Sequence, residues 1–188
     1  MEEQPEVWVV GGCNGSGKTT FALSVLSNLE GLEFVNADMI AADLNPQDVD
    51  AVAIQASRLM LARLRTLAQQ RVDFAFETTL AARSFASFLK RCQSQGYRVN
   101  LIYVWLNSVD LAIARVASRV ASGGHNIPED VIRRRYERGQ RNFLELYSPL
   151  VDRWQAYDNS ENNQLIAYRN GLETKIIKEE VWQEIFNG

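Results

Sequence analysis

Lys18 and Thr19 close an octet, GCNGSGKT, that runs Gly12, Cys13, Asn14, Gly15, Ser16, Gly17, Lys18, Thr19 and is followed by Thr20. The octet fits G-x-x-x-x-G-K-[ST] at every position. Its glycines let backbone N–H groups converge on phosphate oxygens, where a side chain would block the approach. The start of a following helix adds partial positive charge. Lys18 is placed to bridge β- and γ-phosphates, and the Thr19 hydroxyl to ligate Mg²⁺. Gly12 to Thr20 are therefore expected to hold Mg·ATP. The rival reading is a Gly-rich turn without nucleotide. The apolar run Val7–Val10 before the loop and the amphipathic segment after it argue for the phosphate cradle. Cys13 reads as a small loop residue, since nothing nearby supplies a resolving thiol.

Moving phosphate onto a small acceptor needs three more parts: a base, acceptor-binding groups and cations over the transferring phosphoryl. Asp38, in "NAD", follows an apolar segment and is the candidate base, taking the hydroxyl proton or orienting the hydroxyl for in-line attack. Its alternatives are a helix cap for "MIAADL" or an outer-sphere partner of Mg²⁺. Glu77 and Thr79, in "ETT", close another apolar run, where a charged group must be solvated or paired. They are expected to bind the acceptor, the alternative being a cap for the next helix from Thr78 or Thr79. Between Ala114 and Arg141 lie seven arginines and three acids. Arg115 and Arg119 share one helix face, as do Arg134, Arg138 and Arg141. Two arginine-lined helices joined by "SGGHNI" read as a hinged lid over phosphates, with Arg119 and Arg134 as the expected phosphate contacts. A solvated basic face is the alternative. His125, the only histidine, sits in the lid loop as a substrate contact or a loop-ordering donor.

These residues must be carried to one place. Apolar runs alternate with helical patterns: strands at Val7–Val10, Leu32–Asn36, Val72–Glu77, Arg98–Leu106 and Asn163–Asn170, and helices at Lys18–Leu29, Ala81–Gln95, Val109–Ala121 and Pro128–Glu145. Asn45 and Pro46 are expected to open a helix running to Gln70, and Ser148–Tyr157 a short one. Alternation predicts an α/β fold, a three-layer P-loop NTPase of nucleoside/nucleotide-kinase type with about five parallel strands. In such sheets ligands bind beyond the carboxyl ends of the strands. The Gly-rich loop, "NAD" and "ETT" all fall there. The whole chain, 1–188, reads as one kinase-like domain with a lid over about 109–145.

Absences narrow the class. There is no Asn-Lys-x-Asp for guanine, no "LSGGQ"-like segment and no apolar strand ending in paired acids. A small-molecule kinase remains, with an ATPase switch that gates a partner as the alternative. The chain has 188 residues, 46% hydrophobic and 23% charged, with a formal net charge of −3. An acidic chain argues against nucleic acid as the main partner. Two cysteines, Cys13 and Cys92, form no disulfide framework or metal spacing. The polar start "MEEQPE" and the lack of a spanning apolar run lead to the expectation of a soluble cytoplasmic protein without membrane contact.

The ordered set "GGCNGSGKTTFA", "NADMIAADLNP", "FAFETTLA", "GYRVNLIYVWL" and "RVASGGHNIPEDVIRRRY" resembles the zeta-toxin-like P-loop kinases, in their short stand-alone branch. The resemblance spans about Val7 to Asn159. It implies a nucleotide-kinase-like fold, use of ATP and Mg²⁺, and phosphorylation of a UDP-linked amino sugar. It also implies a small antitoxin protein that blocks the nucleotide site. Lys18 and Thr19 match the phosphate-loop Lys and the Mg²⁺ ligand, Asp38 the catalytic aspartate, and Glu77 with Thr79 the substrate-binding Glu-x-Thr. Of the two lid arginines of zeta toxins, Arg115 or Arg119 stands for the first. His125 falls where the second is expected, and the helix carrying "RRRY" is the alternative source of that charge.

Overall fold

The computed structural model describes residues 4–26 and 31–187. Strand β1 (Glu6–Gly11) runs into the Gly-rich loop and helix α1 (Lys18–Leu26). Residues 27–29 of the expected first helix lie outside the described residues. Then follow β2 (Glu33–Val35), α2 (Ala37–Leu44), α3 (Ala53–Gln70), β3 (Phe74–Thr78) and α4 (Ser84–Ser94). The second half comprises β4 (Arg98–Trp105), α5 (Val109–Ala121), α6 (Glu129–Asn142), a π-helical turn at Phe143–Tyr147, α7 (Ser148–Leu150), β5 (Arg153–Asp158), β6 (Gln164–Asn170), β7 (Glu173–Ile176) and α8 (Glu179–Asn187).

One sheet holds all seven strands in the order β2-β3-β1-β4-β5-β6-β7. β2 to β5 pair parallel around β1, and β6 and β7 add antiparallel edges. Register places the chemistry. Val10 pairs with Glu77 and Gly11 with Thr78. Val35 pairs with Phe76, so Asn36, one step on, comes level with Glu77. Three strand ends therefore open on one cleft, as the alternation predicted.

Side-chain alternation splits the core. Val7, Val9, Phe74, Phe76, Leu101, Tyr103 and Trp154 face Met60, Leu64 and Leu67 of α3 and Phe88 and Leu89 of α4. The other face carries Val10, Ala75, Ile102 and Val104 under Phe21, Ala22 and Leu26 of α1. Tyr103 and Trp105 are core residues. Trp154 stacks on Trp182 of α8 with ring centroids 5.4 Å apart.

Two expectations are corrected. Ser148–Tyr157 is not one short helix: α7 stops at Leu150, and Arg153–Asp158 is the fifth parallel strand. In "RWQAYD" Trp154 and Ala156 are buried while Arg153 and Gln155 are exposed, a period of two that the sheet rewards. The expected strand at Asn163–Asn170 is instead the sixth and antiparallel. Likewise, Asn45 does not open α3. Its backbone N–H closes α2 on Ala41, and its side chain accepts from Gln47 and Asp48. α3 starts at Ala53, after a 3₁₀ turn over Asp50–Val52.

Candidate active site

The phosphate loop joins β1 to α1 without room for larger residues. Gly12 and Gly17 have φ of 149° and 84°, in the region that favours glycine. A Cβ on Gly12 would stand 2.2 Å from the Val104 carbonyl oxygen. Asn159, just past β5, donates to the Ser16 carbonyl at 2.8 Å and braces the loop from outside. Inside it, the Ser16 hydroxyl is fully buried and has no hydrogen-bond partner among the described residues. Cys13 packs with Leu106 and Ala112. Burial pushes its thiol up to about 11, against the pull of Lys18. Its position is that of a packing residue.

Lys18 is 6% exposed. Its Nζ donates to the Cys13 carbonyl at 2.7 Å and lies 3.6 Å from Glu77 Oε1. The other oxygen of Glu77 accepts from Thr19 Oγ1 at 2.6 Å and from Asn36 Nδ2 at 2.9 Å. Glu77 is thus the hub that ties the ends of β2 and β3 to the loop. Asn36 holds a second post. Its Oδ1 accepts from the N–H groups of Asp38 at 2.7 Å and Met39 at 3.3 Å, which makes it the cap of α2. The cap is Asn36, not Asp38, and the Asp38 carboxylate lies exposed on the cleft wall.

Just beyond Glu77 the chain turns sharply. Leu80 has φ of 59°, a strained value for a residue with a side chain. The Thr78 hydroxyl accepts the Leu80 N–H, and Asn142 Nδ2 donates to the carbonyls of Leu80 and Ala81. The buried Leu80 side chain occupies the space a Cβ on Gly11 would need, 2.6 Å away. Thr79 is fixed beside the cleft by this turn.

A cavity of about 500 Å³ lies over these groups. Its walls include Asn14, Lys18, Asn36, Asp38, Glu77 and Thr79. Apolar side chains of α3 and α4, Met60, Leu61 and Phe85, form another wall, and His125, Ile127 and Val131 of the lid face them. His125 Nε2 lies 3.2 Å from Asp50 Oδ1 across the cleft.

The lid arginines divide. Arg119 is exposed and donates to the carbonyl of His125 at 3.1 Å, ordering the lid loop. Arg115 donates to the Ser160 carbonyl at 2.8 Å, with its stem beside Gly15. Arg133 pairs with Glu129 and Asp110 on the surface. Arg134, Arg138 and Arg141, grouped on one face by their spacing, are all exposed. Arg135 lines the cavity and donates to Asn14 Oδ1 in the phosphate loop at 3.2 Å. Sequence reasoning gave Asn36 and Asn159 no role in the phosphate loop, and in the arginine run it named Arg134 rather than Arg135. The spacing Pro128, Val131, Arg135 marks a helix face that also carries apolar residues, and that was the available signal for Arg135.

The donor set suits a nucleotide polyphosphate: a Gly-rich loop running into the N-terminus of α1, a buried ammonium and a buried Ser16 hydroxyl without a partner among the described residues. Thr19 Oγ1, with the Glu77 carboxylate beside it, suits Mg²⁺, which takes few protein oxygens and completes its shell with phosphate and water. Among the described residues no helix is long and apolar enough to cross a membrane.

The sequence profile of the zeta toxin family matches residues 1–171. The chain belongs to the zeta toxin family. An uncharacterized protein from Haemophilus influenzae is 35% identical over 126 residues, 66% of this chain and 88% of its own. Among solved structures, a chain of the AvrRxo1-ORF1:AvrRxo1-ORF2 complex crystallised with ATP superposes with a TM-score of 0.79 at 17% identity. The match covers 98% of this zeta toxin family chain and 64% of the other, so the present chain spans less than two thirds of that protein. The PezAT toxin–antitoxin system of Streptococcus pneumoniae gives 0.71 at 19% identity, covering 100% of this chain and 80% of that one. A gluconokinase from Sinorhizobium meliloti matches at 0.51 and 15% identity over 99% of this chain and 92% of its own. These likenesses establish the P-loop kinase fold.

Proposed function

We propose that this protein transfers the γ-phosphoryl group of ATP to a hydroxyl of a small molecule. The observation that carries the reading is that the Asp38 carboxylate shares one cavity with Lys18 and Glu77. The phosphate loop grips the β- and γ-phosphates, with Lys18 leaving its Cys13 and Glu77 contacts to reach them. Thr19, backed by Glu77, would hold Mg²⁺, which would supply charge neutralisation on the phosphate oxygens. Thr79 and the apolar wall position the acceptor. Asp38 orients the acceptor hydroxyl in line and takes its proton. The acceptor oxygen bonds to the γ-phosphorus while the bond to the β,γ-bridging oxygen breaks, and that electron pair leaves with ADP.

The acceptor that the family implies, a UDP-linked amino sugar, belongs in the first panel to be tested. The toxin–antitoxin setting of the PezAT relative supports an inhibitory protein partner as part of the same proposal. The deciding experiment incubates the protein with γ-labelled ATP, Mg²⁺ and a pool of nucleotide sugars, nucleosides and metabolites, and identifies the labelled product. Asp38→Ala is expected to lower acceptor labelling by about 10²–10⁴-fold while ATP binding stays intact. ATP turnover at the full wild-type rate in that variant, with no labelled acceptor in either protein, overturns the kinase reading in favour of an ATPase switch.

A further inference from the structure

Phosphoryl transfer from ATP develops charge on the oxygens of the group in flight, and a P-loop enzyme meets it with a cation brought in from outside the loop. Seven arginines lie in the lid region, and their surroundings separate them. Arg115 and Arg119 spend guanidinium N–H groups on the carbonyls of Ser160 and His125. Arg133 is held between two surface carboxylates. Arg134, Arg138 and Arg141 are exposed, on the α6 face that points to solvent. None of these six lines the cavity.

Arg135 does. It sits on the face of α6 that also brings Pro128 and Val131 to the cavity wall. Its Nη1 donates to Asn14 Oδ1, and Asn14 is itself 7% exposed within the phosphate loop. The contact joins residues 121 positions apart, lid to loop. Burial lowers the affinity of this guanidinium for its proton, and the nearby Asp38 carboxylate raises it. Arginine nonetheless stays charged. A half-buried cation whose one hydrogen bond among the described residues is to a neutral amide keeps donors for an anion.

We infer that Arg135 is the catalytic cation that meets the γ-phosphoryl group, and that Asn14 is the positioning residue that holds it over the loop. The inference rests on the phosphotransferase reading above. It moves the role from Arg119 and Arg134, the expected contacts, to their neighbour. It also accounts for His125 at the place of the second zeta toxin arginine: the charge comes from nearly two turns into α6, and the histidine is left to bridge to Asp50. Asn14 acts through Arg135. Its side chain accepts one N–H of the fork and leaves other donors for an anion in the cavity that Lys18 also lines.

The test measures binding of MgADP with and without aluminium fluoride, which mimics the phosphoryl group in flight. Wild-type protein is expected to bind the fluoride complex more tightly than MgADP. Arg135→Ala is expected to cut that gain by about 10²-fold, with Arg135→Lys restoring part of it, while MgADP affinity stays within about threefold. Arg119→Ala and Arg134→Ala are expected to leave the gain unchanged. Asn14→Ala is expected to lower it by about tenfold in wild type and far less in Arg135→Ala, the non-additivity that marks action through one group. A full gain in Arg135→Ala, or its loss in Arg134→Ala, overturns the assignment. A wild type that shows no gain at all overturns the phosphotransferase reading instead.

Discussion

The two ends of the cavity are built by opposite rules. At the phosphate-loop end, Lys18, Asn14 and Asn36 are each less than a tenth exposed, and the Glu77 carboxylate is shared by three side chains. At the lid end several polar contacts lie on the surface. His125 meets Asp50, whose side chain is 70% exposed, and Arg133 is laced to Glu129 and Asp110. Buried, shared contacts resist motion, because breaking one strands its partner away from water. Surface pairs exchange with water at little cost. On the proposed reading, the loop end is organised in advance for a charged ligand, and the weaker contacts at the lid end would let it open for acceptor entry and product exit.

Breaking the hub should expose the difference most. Glu77→Ala removes the carboxylate beside a buried ammonium and leaves Thr19 and Asn36 without their common acceptor. A loss on the order of 3 kcal/mol of folding stability is expected. Saturating ATP should return much of it, since its phosphates resupply the missing negative charge. Thermal melts with and without ATP check both parts. A melt unchanged from wild type would mean that the loop end is no more interlocked than the lid.

Gly139 probes the seam between the two ends. It lies in α6, against the carbonyl of Thr79, and a Cβ there would stand 2.5 Å from that oxygen. The obstacle is backbone, held by the strained turn at Leu80, so it cannot swing aside. Gly139→Ala should cost about 1–3 kcal/mol through overpacking, despite the better helix propensity of alanine. A denaturant midpoint equal to or above wild type would show that α6 slides freely over β3.

What the sequence made legible follows the same division. The phosphate octet, "NAD" and "ETT" stand next to each other in the fold because strand ends in a parallel sheet must, and that follows from alternation alone. The roles of Asn36 and Glu77 were harder to read. Asn36 looked like a strand end, and register, which no single segment carries, set it level with Glu77. In the lid, spacing grouped Arg134, Arg138 and Arg141 correctly but could not say that their face turns outward. Whether a helix face meets solvent or cleft depends on its partner, here the phosphate loop. β5 was misread as helix because "SPLVDRWQAYD" carries no strong period until β4 lies beside it. The left-handed Leu80 had no sequence signal, since its support comes from Asn142, 62 residues away.

His125 should give the smallest effect. Its side chain is 25% exposed and the facing Asp50 more so, which places the pair among surface contacts worth under about 1 kcal/mol. The loop around it is ordered by groups that an alanine would keep: the Gly124 N–H bonds to the Arg119 carbonyl, and Arg119 bonds to the His125 backbone carbonyl. His125→Ala should therefore shift the melting midpoint far less than Glu77→Ala, by less than about 2 °C. The acceptor KM should rise by no more than about threefold, the loss expected from one exposed pair across a closing lid. Salt should shrink even that difference, because the exposed partners are screened while the buried hub is not. A drop matching that of Glu77→Ala, insensitive to salt, would mean that the lid is locked rather than hinged.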